Sequence, residues 1–399
     1  SIPSVFTSLY PNVHQVYKLD APLAKEFMTL PEILKKYGYV TVAFAGSPVT
    51  SFSNFLDSSH SANRFDEYEV NIASAKRGQQ STLKYKFKVT PWITQKAITW
   101  LKKPHLKPFF LYLHYYDVHP PYAPPRPYNK IFWPGEVDEE LQRYVINFFR
   151  RNQRRPSQSS PVVHGPGFEY ILSQYDGDIR FVDDHIKMIL DVLDRLGLSK
   201  NTLVILVADH GESFLEHGVF FHGDTLYDEA IHVPLIMKLN KKMPANKKIH
   251  DLVRLIDIMP TVLDVLGIKE TVVMQGESLM PLIEGKKVPQ RVSFSESEGE
   301  DESYARGVRT DRWKFIETDD LKINSPTYEL YDLENDPKEL HNLIDERRDI
   351  ADAFKAKLSD YTREGEKIRE SILGKGYVEK PVVLDEEAKE RFRSLGYLQ

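Results

Sequence analysis

Residues 202–211 read TLVILVADHG, and this stretch decides the fold. Leu203 to Ala208 is apolar on both faces, as a central parallel strand covered by helices must be. Asp209, His210 and Gly211 then stand where the strand ends and the chain turns. Just upstream, from Leu172 to Leu196, the apolar period becomes helical. Ile179, Val182, Ile186, Ile189, Leu190, Leu193 and Leu196 form one stripe, and Gly197 stops the helix. Downstream, a helix is expected over YDEA at 227–230, then a strand over Val233 to Leu239. A further helix from Ile258 to Leu266 has Pro260 near its start and Gly267 just beyond it. Strand–helix alternation of this kind argues for a layered α/β domain.

The same texture extends outward. Residues 30–37 predict a short helix that leads directly into a buried strand, VTVAFAG at 40–46. A second aromatic strand, FFLYLHY at 109–115, runs into DVHPPYAPP, where four prolines in nine residues leave a stiff loop. His114 is expected in the strand itself, facing the sheet's covering layer. RRPSQSSPVVHGPG at 154–167 predicts a surface loop or insertion. Beyond residue 290, GVRTDRWKFI at 307–316 and TYELYDL at 327–333 predict two strands of a small antiparallel sheet, and 345–385 predicts a mixed-charge helix and tail. The organisation expected is a main α/β domain over 1–290, a small C-terminal sheet subdomain over 291–345, and a helical tail over 346–399.

A chain of 399 residues can bury a substantial core. Its 53 basic and 58 acidic side chains leave a net charge of −5, which argues against a nucleic-acid-coating protein but not against a small anionic substrate. No run approaches the ~20 apolar residues of a membrane span, so no transmembrane segment is expected. No targeting peptide is visible. Cysteine is absent, which excludes disulfides and thiolate chemistry and leaves the compartment open, cytoplasmic or exported.

Several residues could carry chemistry. Asp209 offers hard oxygen and His210 nitrogen, so the two can reach one cation while Gly211 lets the chain turn; the plainer alternative is a helix-capping aspartate beside a loop histidine. In EHGVFFHGD at 216–224, His222 can donate to an ester oxygen or protonate a leaving group. His217 and His232 are assigned structural roles. Asp117 and His119 follow the second strand, where a proline-held histidine can contact an anion or simply pack against aromatic neighbours. At SIPSVFTSLYP, residues 1–11, Pro3 and Ser4 can open a helix, and Ser1 could attack phosphorus or sulfur if a cation lowered its pKa.

Five motifs in order, SIPSVFTSLYP at 1–11, GYVTVAFAG at 38–46, PFFLYLHYYDVHPPY at 108–122, ADHGESFLEHGVFFHGDTLYDEAIHVPLI at 208–236 and YELYDLENDPKELHNL at 328–343, resemble the sulfatase family of the alkaline phosphatase-like superfamily. The resemblance covers nearly all of residues 1–345. It implies an alkaline phosphatase-like α/β/α sandwich with a small C-terminal α+β subdomain. It implies Ser1 as nucleophile, Asp209 and His210 as ligands of one divalent cation, and His119 and His222 as catalytic contacts to the ester's anionic group. In the family the nucleophile position usually carries a cysteine or serine converted to formylglycine; other branches use unmodified serine or threonine against phosphorus.

Three departures accompany the resemblance. The arginine that closes the modification motif is Val5 here, which argues against formylglycine at Ser1. The lysine and histidine expected after GYVT are absent, the sequence running Gly46-Ser47-Pro48-Val49. The family's first strand, with its pair of metal-binding aspartates, would precede Ser1; the expectation is a chain incomplete at its N-terminus, the alternative a truncation without a competent metal site. The resemblance implies metal-dependent hydrolysis of sulfate esters. The alternatives are a phosphodiesterase, phosphonate-ester hydrolase or headgroup transferase using unmodified Ser1, or a catalytically silent binding domain. Calcium is the cation expected, with magnesium, manganese or zinc as alternatives, and the partner expected is a small anionic ester. The loop at 115–128 could line a pocket for its alcohol or pack a subdomain interface.

Overall fold

The computed structural model describes residues 1–17, 21–46, 64–71, 88–133, 135–152, 165–299, 303–319 and 325–376. The Ser47-Pro48-Val49 departure, most of the 154–167 loop and the end of the tail lie outside the described residues.

Strands β1 (Val40–Ala45), β2 (Glu67–Val70) and β3 (Phe109–His114) form a parallel sheet in the order β2-β1-β3. Val40 pairs with Phe109 and Ala45 with His114. Alternation along β1 sends its side chains to two different layers. Ala43 and Ala45 pack with Phe6, Ile33, Leu34, Met259 and Leu263, so the helices Ile2–Thr7, Leu30–Lys36 and Ile258–Leu266 cover one face. Val42 and Phe44 pack with Ile93, Trp100, Ile189 and Val192, which belong to the helices Thr90–Leu101 and Pro166–Arg195 on the other. Helix, sheet and helix make the expected sandwich. In the long helix, Ile189 and Leu193 are buried as the stripe predicts, whereas Ile179 and Leu196 are each 43% exposed.

The strand that opened the sequence reading differs from expectation. β4 (Val204–Val207) is paired antiparallel to β7 (Leu235–Lys238), with Val204 opposite Lys238 and Val207 opposite Leu235. Among the described residues it has no parallel neighbour. The reason lies in the connection. Residues 208–234 hold only the hairpin of β5 (Ser213–Phe214) and β6 (Phe220–Phe221) and the short helix Asp228–Ile231, so no long crossover returns the chain to the start of β4. The chain re-enters at the same end, with Ala208 N bonded to Pro234 O at 3.4 Å. Ile205, Val207, Leu235 and Met237 nevertheless join the same core layer as β1.

The C-terminal sheet has four antiparallel strands in the order β11-β10-β9-β8: β8 (Ser293–Glu298), β9 (Tyr304–Arg309), β10 (Trp313–Asp319) and β11 (Thr327–Asp332). GVRTDRWKFI is therefore the bend of a hairpin and not one strand. Thr310 makes the turn, its N and Oγ1 bonding Trp313 O and its Oγ1 accepting from Trp313 N. The helix Arg348–Leu373 buries Ala351, Phe354 and Leu358 against Val308, Phe315 and Leu330 of this sheet. Among the described residues no helix is long and apolar enough to cross a membrane.

Candidate active site

Phe110, Tyr112 and His114 share one face of β3, because strand side chains alternate. Phe6 packs edge-on against Phe110 and Tyr112, with ring centroids 6.2 and 5.1 Å away. This contact lays the Ile2–Thr7 helix along β3 and brings its N-cap, Ser1, to the strand's C-terminal end. His14 fixes the helix from behind. Its Nδ1 accepts from Val16 N at 3.1 Å, so Nε2 carries the proton and donates to Ser4 Oγ at 2.9 Å. Burial pushes His14 down to about 3 and keeps it neutral.

Asp209 stands beside this point. Burial alone would raise its carboxyl, but His210 and His114 hold it below the ordinary value. Ser1, His114, Asp209 and His210 are thus neighbours, although they come from three segments of chain. His114 ends the strand on the face that the Ile2–Thr7 helix covers, as expected; there it hydrogen-bonds Tyr112 Oη at 3.1 Å and feels both Asp209 and His210.

Each of the three remaining histidines has its proton placed by a partner. His210 Nδ1 lies 2.7 Å from Gly211 O, a carbonyl that can only accept, so Nδ1 donates, and in the neutral imidazole it is Nε2 that carries the lone pair. That Nε2 is 3.8 Å from Asp209 Oδ1. His119 Nδ1 likewise donates to Pro120 O at 2.8 Å. Burial first, then the charge of His222, pushes His119 down to about 3, so its Nε2 is an acceptor. His222 is the opposite case. Burial would lower its pKa, but the hydrogen bond and charge of Glu212, whose Oε1 is 2.9 Å from Nδ1, raise it above the ordinary value. The His222 ring stacks on His210 at 4.0 Å and meets His119 at 5.0 Å.

The local fold explains this meeting. Ser213 pairs with Phe221 in the β5–β6 hairpin, so the next residue outward on each strand, Glu212 and His222, fall side by side. Phe221 adopts φ +76°, a left-handed conformation that costs a bulky residue ~1–2 kcal/mol and re-aims the chain just before His222. The Asp209-His210-Gly211 turn is held against the Asp228–Ile231 helix by Gly211 N donating to Ala230 O at 2.7 Å. A Cβ on Gly211 would lie 2.0 Å from Glu229 O, so only glycine permits the approach. The C-terminal sheet clamps that helix in turn. Lys314 reaches Asp228 at 2.9 Å and Glu339 at 2.5 Å, and Arg309 also pairs with Asp228.

Other residues marked in the sequence lie apart from the cluster. Asp117 caps the Thr90–Leu101 helix, accepting from Val89 N at 3.1 Å and Thr90 N at 2.8 Å. His217 belongs to the clamp, bonded to Glu229 Oε1 at 2.8 Å and Glu339 O at 3.0 Å, and the His232 side chain is 71% exposed. His114, Tyr112, His14 and Glu212 went unassigned in the sequence reading. For His114 the signal was present, since it ends the i, i+2, i+4 series begun by Phe110.

For a cation, the Asp209 and His210 donors fit: a carboxylate beside an imidazole whose second nitrogen is fixed by a carbonyl is the usual arrangement of a histidine ligand and its supporting acceptor. They supply two positions. Among the described residues no group of three histidine, aspartate or glutamate side chains is gathered to hold a metal.

The sandwich and the flanking four-stranded sheet frame the carboxylate–histidine cluster at the strand ends, and the match to the sulfatase family makes the chain an ester hydrolase. The sulfatase family's sequence profile matches residues 1–268, and that of "N-sulphoglucosamine sulphohydrolase, C-terminal" matches 215–364. The chain belongs to the sulfatase family. It is 26% identical to the uncharacterized sulfatase YidJ of Escherichia coli (strain K12) over 90% of this chain and 76% of that one. It is 25% identical to arylsulfatase K of Mus musculus over 89% of this chain and 69% of that one. Among solved structures, the phosphonate monoester hydrolase of Agrobacterium radiobacter superposes with a TM-score of 0.71 at 19% identity, covering 91% of this chain and 85% of the other. BT4656, in complex with its substrate D-glucosamine-2-N,6-O-disulfate, superposes with a TM-score of 0.69 at 18% identity, covering 92% and 87%. At these identities the two structures bear on the fold.

Proposed function

We propose that this protein hydrolyses sulfate esters of small alcohols at the cluster of Ser1, His119, Asp209, His210 and His222, with a divalent cation, calcium by preference, held by Asp209 and His210. The observation that carries the reading is the meeting of His210, His222 and His119 within 4.0 and 5.0 Å between ring centres, beside Asp209 and the Ser1 end of its helix. Bound there, the cation supplies positive charge that lowers the pKa of the nucleophile and offsets charge on the ester. Every other role belongs to the chain.

Ser1 Oγ attacks sulfur as its proton passes to solvent water, the bond from sulfur to the alcohol oxygen breaks, and His222 gives that oxygen its proton and is reprotonated from solvent before the next turnover. His222 suits this part because Glu212 raises its pKa above the ordinary histidine value, which favours the protonated imidazole. His119 suits the second half. Its neutral Nε2 can accept a proton from the water that releases sulfate and restores Ser1. Glu212 and His14 position the groups that act.

Val5, in place of the arginine of the modification motif, favours a second reading in which unmodified Ser1 attacks a phosphate or phosphonate ester. Turnover of 4-nitrophenyl sulfate, 4-nitrophenyl phosphate and 4-nitrophenyl phenylphosphonate, with calcium, magnesium, manganese or zinc, decides between the two. The first reading predicts fastest turnover of the sulfate with calcium. Preference for phosphorus with Ser1 of unmodified mass selects the second, and no turnover with any ester and metal returns the chain to a silent binding domain.

A further inference from the structure

Lys88 and Asp178 form an ion pair against the loop that carries His119. Lys88 Nζ lies 2.7 Å from Asp178 Oδ1. Asp178 is fully buried on the Pro166–Arg195 helix, and the Lys88 side chain is 14% exposed just ahead of the Thr90–Leu101 helix. Neither residue takes part in the proposed chemistry. Burial pushes the Asp178 carboxyl up to about 6 although Lys88 opposes the shift. A buried ion pair is seldom a net source of stability, since apolar side chains of the same volume often do as well. What apolar side chains cannot supply is directed hydrogen bonds.

Those bonds go to the two ends of one loop. Residues 117–125 read DVHPPYAPP, and four of the nine are prolines with no N–H to donate. A loop so short of donors is not held by a backbone ladder and takes its place from the side chains around it. At its start, Lys88 Nζ donates to Asp117 O at 3.2 Å. Near its end, Ala123 N donates to Asp178 Oδ2 at 2.9 Å. His119 lies between the two anchors. Its N donates to Tyr116 O at 2.9 Å, and its ring stacks on Tyr116 with centroids 4.5 Å apart. The long helix lies directly against the loop: a Cβ on Gly177, next to Asp178, would be 2.7 Å from Pro124 Cγ and 2.9 Å from Tyr128 O.

We propose that Lys88 and Asp178 are positioning residues for the reaction: the pair clasps the proline loop at Asp117 and Ala123 and so sets where the His119 imidazole stands. The inference rests on the reading in which His119 takes a proton from the water that releases the product. A group displaced by about 1 Å loses on the order of 10²-fold in rate even when it is chemically intact. Residues that act only through His119 must also lose their effect once His119 is gone.

The test uses the full chain and three variants: Lys88→Met with Asp178→Leu, which replaces the pair by apolar groups; His119→Ala; and all three substitutions together. Melting temperatures confirm that each is folded. Should the apolar pair not fold, Asp178→Asn takes its place, because it keeps the shape but turns an NH2 group towards either Lys88 Nζ or Ala123 N. On the ester turned over fastest, kcat should fall roughly 10- to 100-fold in the pair variant, with the larger part of the effect in kcat and not in KM. The triple variant should lie within about twofold of His119→Ala. Wild-type kcat in a folded pair variant, or a triple variant slowed by the product of the two separate factors, overturns the proposal. If the wild-type chain turns over no ester, or His119→Ala turns over as fast as wild type, the chemical role of His119 fails, and the clasp is read from the His119 ring by NMR. Its carbon-bound proton resonances should move in the pair variant as the ring shifts against Tyr116; resonances that stay in place overturn the clasp as well.

Discussion

Glu212 and His222 divide their work by charge. The Glu212 carboxylate raises the imidazole's pKa against the cost of burial. Glu212→Gln keeps the size and removes the charge, so the His222 pKa should fall and the alkaline limb of kcat/KM should move to lower pH. An NMR titration of His222 with the pH–rate profile checks this, and an unmoved limb contradicts the acid role. The same pair carries a stability consequence. A histidine whose folded pKa lies above the ~6.5 of an unfolded one stabilises fully below that pH and loses its contribution as pH rises through the folded value. His217, raised by Glu229 against burial, adds to His222 in the same direction. On the alkaline side of neutrality the melting temperature should therefore decline as pH rises, and the double variant Glu212→Gln, Glu229→Gln should flatten that slope. His119 and His14, pushed down to about 3, act in the opposite direction only below about pH 7, where the unfolded histidine takes up a proton that the folded one refuses.

At the scale of elements, the turn after β4 depends on what lies behind it. Gly211→Ala would drive a Cβ into Glu229 O, and overpacking of this kind costs ~1–3 kcal/mol. Lys314 is 1% exposed between Asp228 and Glu339; Lys314→Met leaves Glu339 without its cation and Asp228 with Arg309 alone, and should cost ~3–5 kcal/mol, read as a lowered denaturant midpoint. These elements were unevenly legible in the sequence. Apolar runs bounded by Gly38, Gly197 and Gly267 marked strands and helices well, because burial and helix stops act locally. The direction of β4 was illegible, since a run apolar on both faces does not say which way its neighbour points. The bend at Thr310-Asp311-Arg312 was missed because it uses side-chain bonds from Thr310 in place of a glycine or proline signal. Asp209, His210, His119 and His222 stood out by motif, whereas Glu212 became visible only when the β5–β6 register set it beside His222.

The whole molecule is stitched together by the Arg348–Leu373 helix. Its first half buries Phe354 and Leu358 on the C-terminal sheet; at its middle Tyr361 O accepts from Asn12 Nδ2 at 2.9 Å and the Tyr361 ring meets Tyr10 edge-on at 5.4 Å. Gly365 lets Asn12 approach, since a Cβ there would lie 2.1 Å from Asn12 Nδ2. The sheet and the sandwich should consequently unfold in one calorimetric transition, and Gly365→Val should lower both its midpoint and the ester turnover; two separate transitions in the wild-type protein would contradict this coupling. The same helix thereby braces the segment that begins with Ser1, on which the catalytic account turns. Its most direct test is turnover of 4-nitrophenyl sulfate and 4-nitrophenyl phosphate by the full-length protein and its Ser1→Ala variant, with folding of both confirmed by their melting temperatures. The account predicts a fall in kcat of roughly 10³-fold or more for the preferred ester; turnover undiminished in Ser1→Ala would contradict it.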